Sequence, residues 1–438
     1  MPLIIILLGI TVLLILILGF KVNAFIALIL VSLGVGVGVG MSPLDTLAAM
    51  QKGVGGTLGS LAFIIGMGAM LGGLIAESGA AQVITKRLTK TFGVKNLPWV
   101  MMLTGFIIGV PMFYNVAFMI ALPIIFSMAK ETKLPILYVG LPCIAALSVT
   151  HGFLPPHPAP TTIVQFFGAN LQMTLLYGIL LSIPTVILSG LVFGKTMKKL
   201  DVKINEKLFK FQEIPEESLP GFGVSILVAL VPVLLMGLAA VGQLTMEKDN
   251  PLNQALQFIG DAVMSMLIAL LLAIFTLGKK TGKSFANIMD GLGEHVKPIA
   301  MILLILAGGG AFKEVLISSG SSEYIVNSMK GLDMSPLIMA WCVAAVLRIA
   351  LGSATVAAMA AAGILQPLVA AGNVNPELLV LATGAGSLTC SQVNDTGFWM
   401  FKEYFNLSVI DTFKSWTMME TIISVVGLIG CLLLDLVV

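Results

Sequence analysis

The feature that most constrains this chain is a succession of long apolar runs, at residues 2–19, 23–40, 58–76, 136–168, 172–194, 222–246, 260–277, 298–316, 378–405 and 418–436. A run of about 20 apolar residues spans the hydrocarbon core of a bilayer as a helix. Lipid offers no hydrogen-bond partners, so a crossing segment must satisfy its backbone internally. Charged residues are 11% of the chain, less than half of the roughly 25% carried by a soluble domain. The sequence therefore describes an all-α polytopic membrane protein of about ten spans. Its formal net charge of +2 comes with no basic arm, which argues against nucleic acid as a partner. His151, His157 and His295 form no H-E-x-x-H motif and the four cysteines no C-x-x-C pair, so no metal, cofactor or enzyme is expected. The first run lacks a basic leader and a small-residue cleavage site, and reads as a retained span.

Two further stretches, 97–129 and 336–371, are too long for one span and too short for two. They break at Gly109-Val110-Pro111 and at Gly352-Ser353, and read as re-entrant hairpins. Lys and Arg collect in cytoplasmic loops. Lys86, Arg87, Lys90 and Lys95 precede the first hairpin and Lys130 and Lys133 follow it, so both its ends are expected in the cytoplasm. The second is flanked by Lys330 alone and is expected to open outside. The lysine-rich segments 195–220 and 279–297 read as cytoplasmic, the 247–257 loop as external, and both termini as external. Residues 1–194 and 221–438 then each hold five spans and a hairpin around the 195–220 linker, and an odd number of crossings inserts them in opposite orientations. Segment 71–98 resembles 309–336 in its Gly, Ser-Gly and Pro landmarks, and 144–152 resembles 383–391. Inverted-topology repeats with broken helices build secondary transporters, whose substrates bind near the midplane between repeats.

Chemistry is expected at the two hairpin tips and at two breaks in the spans, where freed backbone N–H groups attract anions. At the first tip Tyr114 and Asn115 offer hydrogen bonds, although Pro111 could simply kink a helix. At the second, Ser353 and Thr355 stand at a new helix start, where capping alone would also explain them. Pro155, Pro156 and Pro158 cannot continue a helix. Beside them, His151 and His157 could bind hydroxyls, carry protons near neutral pH, or satisfy the broken backbone. The opposing break, Ser391 to Gly397, holds Asn394, Asp395 and Thr396. An intramembrane carboxylate is costly unless protonated or paired, so Asp395 is a candidate proton carrier, a helix cap, or the partner of Arg348. Arg348 itself either steers an anionic substrate or makes a structural salt bridge; Lys313 and Glu314 read as structural.

The runs GVGGTLGS (53–60), LSVTHGFLPPHP (147–158), GGGAFK (308–313), LRIALGSATVAA (347–358) and VNDTGFWMFKEYF (393–405) resemble the gluconate permease (GntP) family over essentially the whole chain. The resemblance implies the ion-transporter superfamily fold, a homodimer with scaffold and transport domains and two re-entrant hairpins. It also implies a proton symporter in the bacterial inner membrane that imports gluconate or a related small sugar acid by alternating access. The substrate would meet Tyr114, Asn115, His151, His157, Ser353, Thr355, Asn394 and Thr396, with Asp395 or His151 coupling the proton. Family members often carry an acid in the first hairpin tip, where this chain has Asn115, and many have S-H-V-N-D where this chain has Gln392. Both departures shift weight onto Asp395 and the histidines. A carrier of glycerate, idonate or D-serine with different ion coupling is the second reading, and a channel or intramembrane enzyme the third.

Overall fold

The computed structural model describes residues 2–200, 202, 216–320, 334–370, 374–393 and 395–438. Most of the 195–220 linker, residues 321–333 of the segment matched to 71–98, the last residue of the 336–371 hairpin and Asn394 lie outside the described residues. Those described are helical with short connections, and no strand occurs among them. Seven of their helices are long and apolar enough to cross a membrane, or nine if each of two bent pairs counts as one span.

Each of the two stretches expected to be a hairpin is a pair of helices, Leu97–Gly109 with Tyr114–Thr132 and Pro336–Leu351 with Ala354–Ala370; Tyr114–Thr132 is by itself long and apolar enough to cross a membrane. Two spans are broken, the first into Ile136–Phe153 and Pro158–Phe167, the second into Pro376–Gly386 and Thr396–Tyr404. The first break spans Leu154 to His157, so His151 lies in the last helical turn before it. In the second, the chain leaves its helix through a turn in which Cys390 has φ +49°, and the Asp395 N–H donates to the Gln392 carbonyl at 2.8 Å just before the next helix starts at Thr396.

Two spans start earlier than their apolar runs. The third begins at Pro43, because the Ser42 hydroxyl accepts from the Asp45 N–H and Pro43 occupies a first-turn position needing no N–H partner. Its first turns expose Asp45, Gln51 and Lys52, which hide it from an apolar window. The last span begins at Val409 on a Ser408 cap and passes through a π turn, Phe413–Thr417, into Met418–Leu434.

Glycines decide how closely these pieces pack. A Cβ at Gly105 would lie 2.4 Å from the Cys143 carbonyl oxygen, and one at Gly386 would lie 2.4 Å from that of Trp341. Leu97–Gly109 thus meets Ile136–Phe153, and Pro336–Leu351 meets Pro376–Gly386, backbone to backbone. The two broken helices touch each other the same way, Gly384 against the Gly152 carbonyl at 2.4 Å. A separate seam joins Pro43–Glu77 to Ala300–Ser318, where a Cβ on Gly53 would fall 2.2 Å from the Gly310 carbonyl oxygen. That pair is antiparallel: Lys52 binds Glu314 at 2.6 Å toward one end, and Glu77 accepts from Lys283 at 2.6 Å at the other.

Candidate functional site

The two tips and the two breaks meet around one cavity of about 280 Å³. Tyr114 and Asn115 reach it from the first tip, His151 and Ser148 from the first broken helix. Arg348, Ser353 and Thr355 come from the second hairpin, and Asp395 and Thr396 from the second break. Trp416 and Glu420 of the last helix complete the polar wall.

Four helices begin at this cavity, at Tyr114, Pro158, Ala354 and Thr396. Helix N-termini leave N–H groups unpaired and carry partial positive charge. The first two have no side-chain cap; the first keeps its N–H groups available, whereas the second, beginning Pro158-Ala159-Pro160, offers only that of Ala159. At the third, the Ser353 carbonyl accepts from Ala357 N–H at 2.9 Å. At the fourth, Asp395 accepts from Gly397 N–H at 2.9 Å.

Asp395 is held on three sides. Besides capping its helix it pairs with Nη2 of Arg348 and accepts the Ser391 hydroxyl. Ser391 is fixed in turn by Trp416 Nε1, which donates to its hydroxyl at 2.7 Å, and by the Thr417 hydroxyl, which donates to its carbonyl at 2.5 Å. Both donors sit on the π turn, an element that often marks functional sites. Both structural roles weighed for Asp395, helix cap and partner of Arg348, are therefore occupied.

Arg348 is 3% exposed, and its Nε and Nη1 have no hydrogen-bond partner among the described residues. Leaving a buried donor unpaired costs about 1–3 kcal/mol, more for a charged group. Arg348 borders the cavity, and an anion entering to reach these donors would satisfy them.

The histidines join the tips. His157 Nε2 lies 2.8 Å from the Gly109 carbonyl, which can only accept, so this nitrogen carries the proton. His157 Nδ1 then accepts from His151 Nδ1 at 3.4 Å, and His151 Nε2 accepts the Thr355 hydroxyl, also at 3.4 Å. One chain of neutral donors and acceptors links the second hairpin through both rings to the first. His151 faces the cavity and His157 stands behind it. Replacing His157 by leucine should strand the buried Gly109 carbonyl and cost about 1–3 kcal/mol. The check is thermal unfolding in detergent, where the midpoint should fall.

Of the residues singled out from sequence, Tyr114, Asn115, His151, Ser353, Thr355, Thr396, Asp395 and Arg348 line the cavity together. Sequence reasoning missed Ser148, Trp416 and Glu420. Glu420 carried a usable signal, an acid inside an apolar run, but in the sequence that run, 418–436, begins only two residues before it. The true start at Val409 puts it about three turns into the helix.

Paired and interrupted helices that converge on one cavity among membrane-length helices are the build of a multi-pass membrane transporter. The fold matches that of the Alcanivorax borkumensis YdaH transporter, at TM-score 0.65 and 13% identity over 94% of this chain and 97% of that one. It also matches Neisseria gonorrhoeae MtrF, described as one of a class of antimetabolite efflux pumps, at TM-score 0.63 and 14% identity over 90% and 83%. Residues 1–437 match the GntP family permease, and the chain belongs to that family. It is 53% identical to the high-affinity gluconate transporter of Escherichia coli K12 and 50% identical to the Gnt-II system L-idonate transporter of the same strain. It is 48% identical to the gluconate permease of Bacillus licheniformis, and all three alignments cover 100% of both chains.

Proposed function

We propose that this permease imports gluconate, or a closely related sugar acid, together with protons by alternating access across the bacterial inner membrane. The observation that carries the reading is Arg348, a buried guanidinium with two free donors on a cavity faced by four helix N-termini. That arrangement suits a carboxylate, while Tyr114, Asn115, Ser353, Thr355 and Thr396 suit the hydroxyls of a short polyol chain. His157 acts by holding the tip, and Asn394 is kept as a further proposed substrate contact. The gluconate-named relatives support the choice of substrate, and the L-idonate transporter at 50% identity makes idonate the second reading.

We also propose that residues 1–194 and 221–438 are inverted repeats of five spans and one hairpin each, with both termini outside and two chains forming a homodimer. Matching pieces in each half support this: a glycine-docked hairpin and a broken helix in the same order. The basic residues before the first hairpin, Lys86, Arg87 and Lys90, gather against Leu219 and Phe222 at the end of the linker, as a shared cytoplasmic face requires.

Uptake of labelled gluconate into proteoliposomes tests the function. With the outside acidic, gluconate should accumulate above its external concentration, and a protonophore should abolish the accumulation. Mere equilibration, or accumulation that follows a sodium gradient and ignores pH, would contradict it.

A further inference from the structure

Proton symport needs a group that binds a proton in one orientation of the carrier and gives it up in the other; the inference below rests on that reading. The titratable groups on the cavity wall are Tyr114, His151, Asp395 and Glu420, with Arg348 as the fixed cation. Three of the four are poorly placed for the task. Asp395 is committed as a carboxylate, bound to Arg348, Ser391 and the Gly397 N–H, and a proton on it would break the ion pair. His151 accepts at Nε2 and donates at Nδ1 within the chain that ties the tips, so a second proton would displace Thr355 or His157. Tyr114 is a phenol, whose ordinary titration range near 10 lies far above neutral.

Glu420 is different. It is 2% exposed, and the Ser148 hydroxyl donates to it at 2.5 Å. No cation pairs with it among the described residues. A buried carboxylate with one hydroxyl donor and no counter-charge is strongly penalised when ionised and stable when protonated. It also sits where its state can matter. Glu420 lies one turn beyond Trp416, whose indole steadies the Ser391–Asp395–Arg348 chain, and one turn before Ser424. Ser424 accepts from Trp341 Nε1 at 2.8 Å, and Trp341 is on the first leg of the second hairpin. A charge appearing on Glu420 would attract Arg348 away from Asp395 and from any bound anion.

We infer that Glu420, held by Ser148, is the residue that carries the coupled proton, and that Asp395 is a positioning residue for Arg348. On the outward side the carboxylate takes a proton from water, and the anion then binds beside a neutral Glu420. One anion and one proton cross together, and the proton returns to water inside as the anion leaves.

The test compares wild-type protein, Glu420→Gln and Ser148→Ala in proteoliposomes with gluconate as the probe. Glu420→Gln should still exchange internal for external gluconate, but its accumulation under an imposed pH gradient should fall to equilibration. Ser148→Ala removes the donor that favours the charged carboxylate, so its uptake should extend to more alkaline pH than that of the wild type. If Glu420→Gln still accumulates gluconate with the gradient, the inference is wrong and proton symport stands. Loss of exchange as well as accumulation in Glu420→Gln, with an unmoved Ser148→Ala pH profile, would make Glu420 structural and also overturn it. A wild-type protein indifferent to the pH gradient would refute proton symport itself, and the inference with it.

Discussion

Replacing Arg348 with glutamine is expected to weaken gluconate binding by between about thirtyfold and a few thousandfold. Truncating one partner of a buried, hydrogen-bonded charge pair in a complex costs about 2–5 kcal/mol of binding, and each 1.4 kcal/mol is tenfold in affinity. The substitution removes the guanidinium that faces the cavity and strands Asp395 without its cation. Arg348→Lys should fall between, because an ammonium keeps the charge but cannot serve Asp395 and a substrate carboxylate through separate nitrogens of one planar fork. Calorimetric titration of gluconate into the detergent-solubilised variants measures the loss. The double variant Arg348→Gln/Asp395→Asn separates binding from folding. With both charges gone it should regain thermal stability relative to Arg348→Gln while binding stays weak. Recovery of binding in the double variant would make Arg348 a purely structural partner of Asp395.

A second large effect is expected from glycines that leave no room for a side chain. Gly386→Val and Gly105→Val each put a Cβ 2.4 Å from a backbone carbonyl oxygen of the neighbouring helix, and backbone cannot rotate aside as a side chain can. Overpacking in a well-packed core costs about 1–3 kcal/mol and sometimes more. Here the contact also sets where each hairpin tip stands, so both variants should lose thermal stability and transport together. Gly237→Ala is the contrast, since a Cβ there meets nothing within 4 Å. It should be neutral or stabilising by up to about 1 kcal/mol, the difference between Ala and Gly in a helix. Thermal unfolding of the three variants in one detergent gives the comparison. A Gly386→Val protein as stable as Gly237→Ala would mean the leg of the hairpin does not dock where described.

The helix interruptions within 97–129, 336–371 and 136–168 were legible because Gly and Pro at Gly109-Val110-Pro111, Gly352-Ser353 and Pro155-Pro156 break helical hydrogen bonding wherever they occur in a long apolar run. Most of the cavity wall followed from those interruptions, since polar side chains beside a break at membrane depth need partners or water. What the sequence left open was a matter of long-range pairing. Asp395 could cap a helix or meet Arg348, 47 residues away, and local pattern favours neither; the structure has it do both. A helical serine such as Ser148 by default bonds back to the preceding turn, and only the approach of the last helix turns its hydroxyl to Glu420. Glu420 and the Ser42–Pro43 start were obscured for one reason. A window that seeks apolar residues ends a helix too early when its first turns carry Asp, Lys or Gln, although a Ser cap before Pro marks the beginning plainly.

The most direct test of the anion site is a structure of the permease with gluconate bound. The carboxylate should lie within hydrogen-bond distance of Arg348 Nε or Nη1, with the sugar hydroxyls toward Tyr114, Asn115 and Thr396. Gluconate bound elsewhere, with those two nitrogens untouched by the ligand, would contradict it.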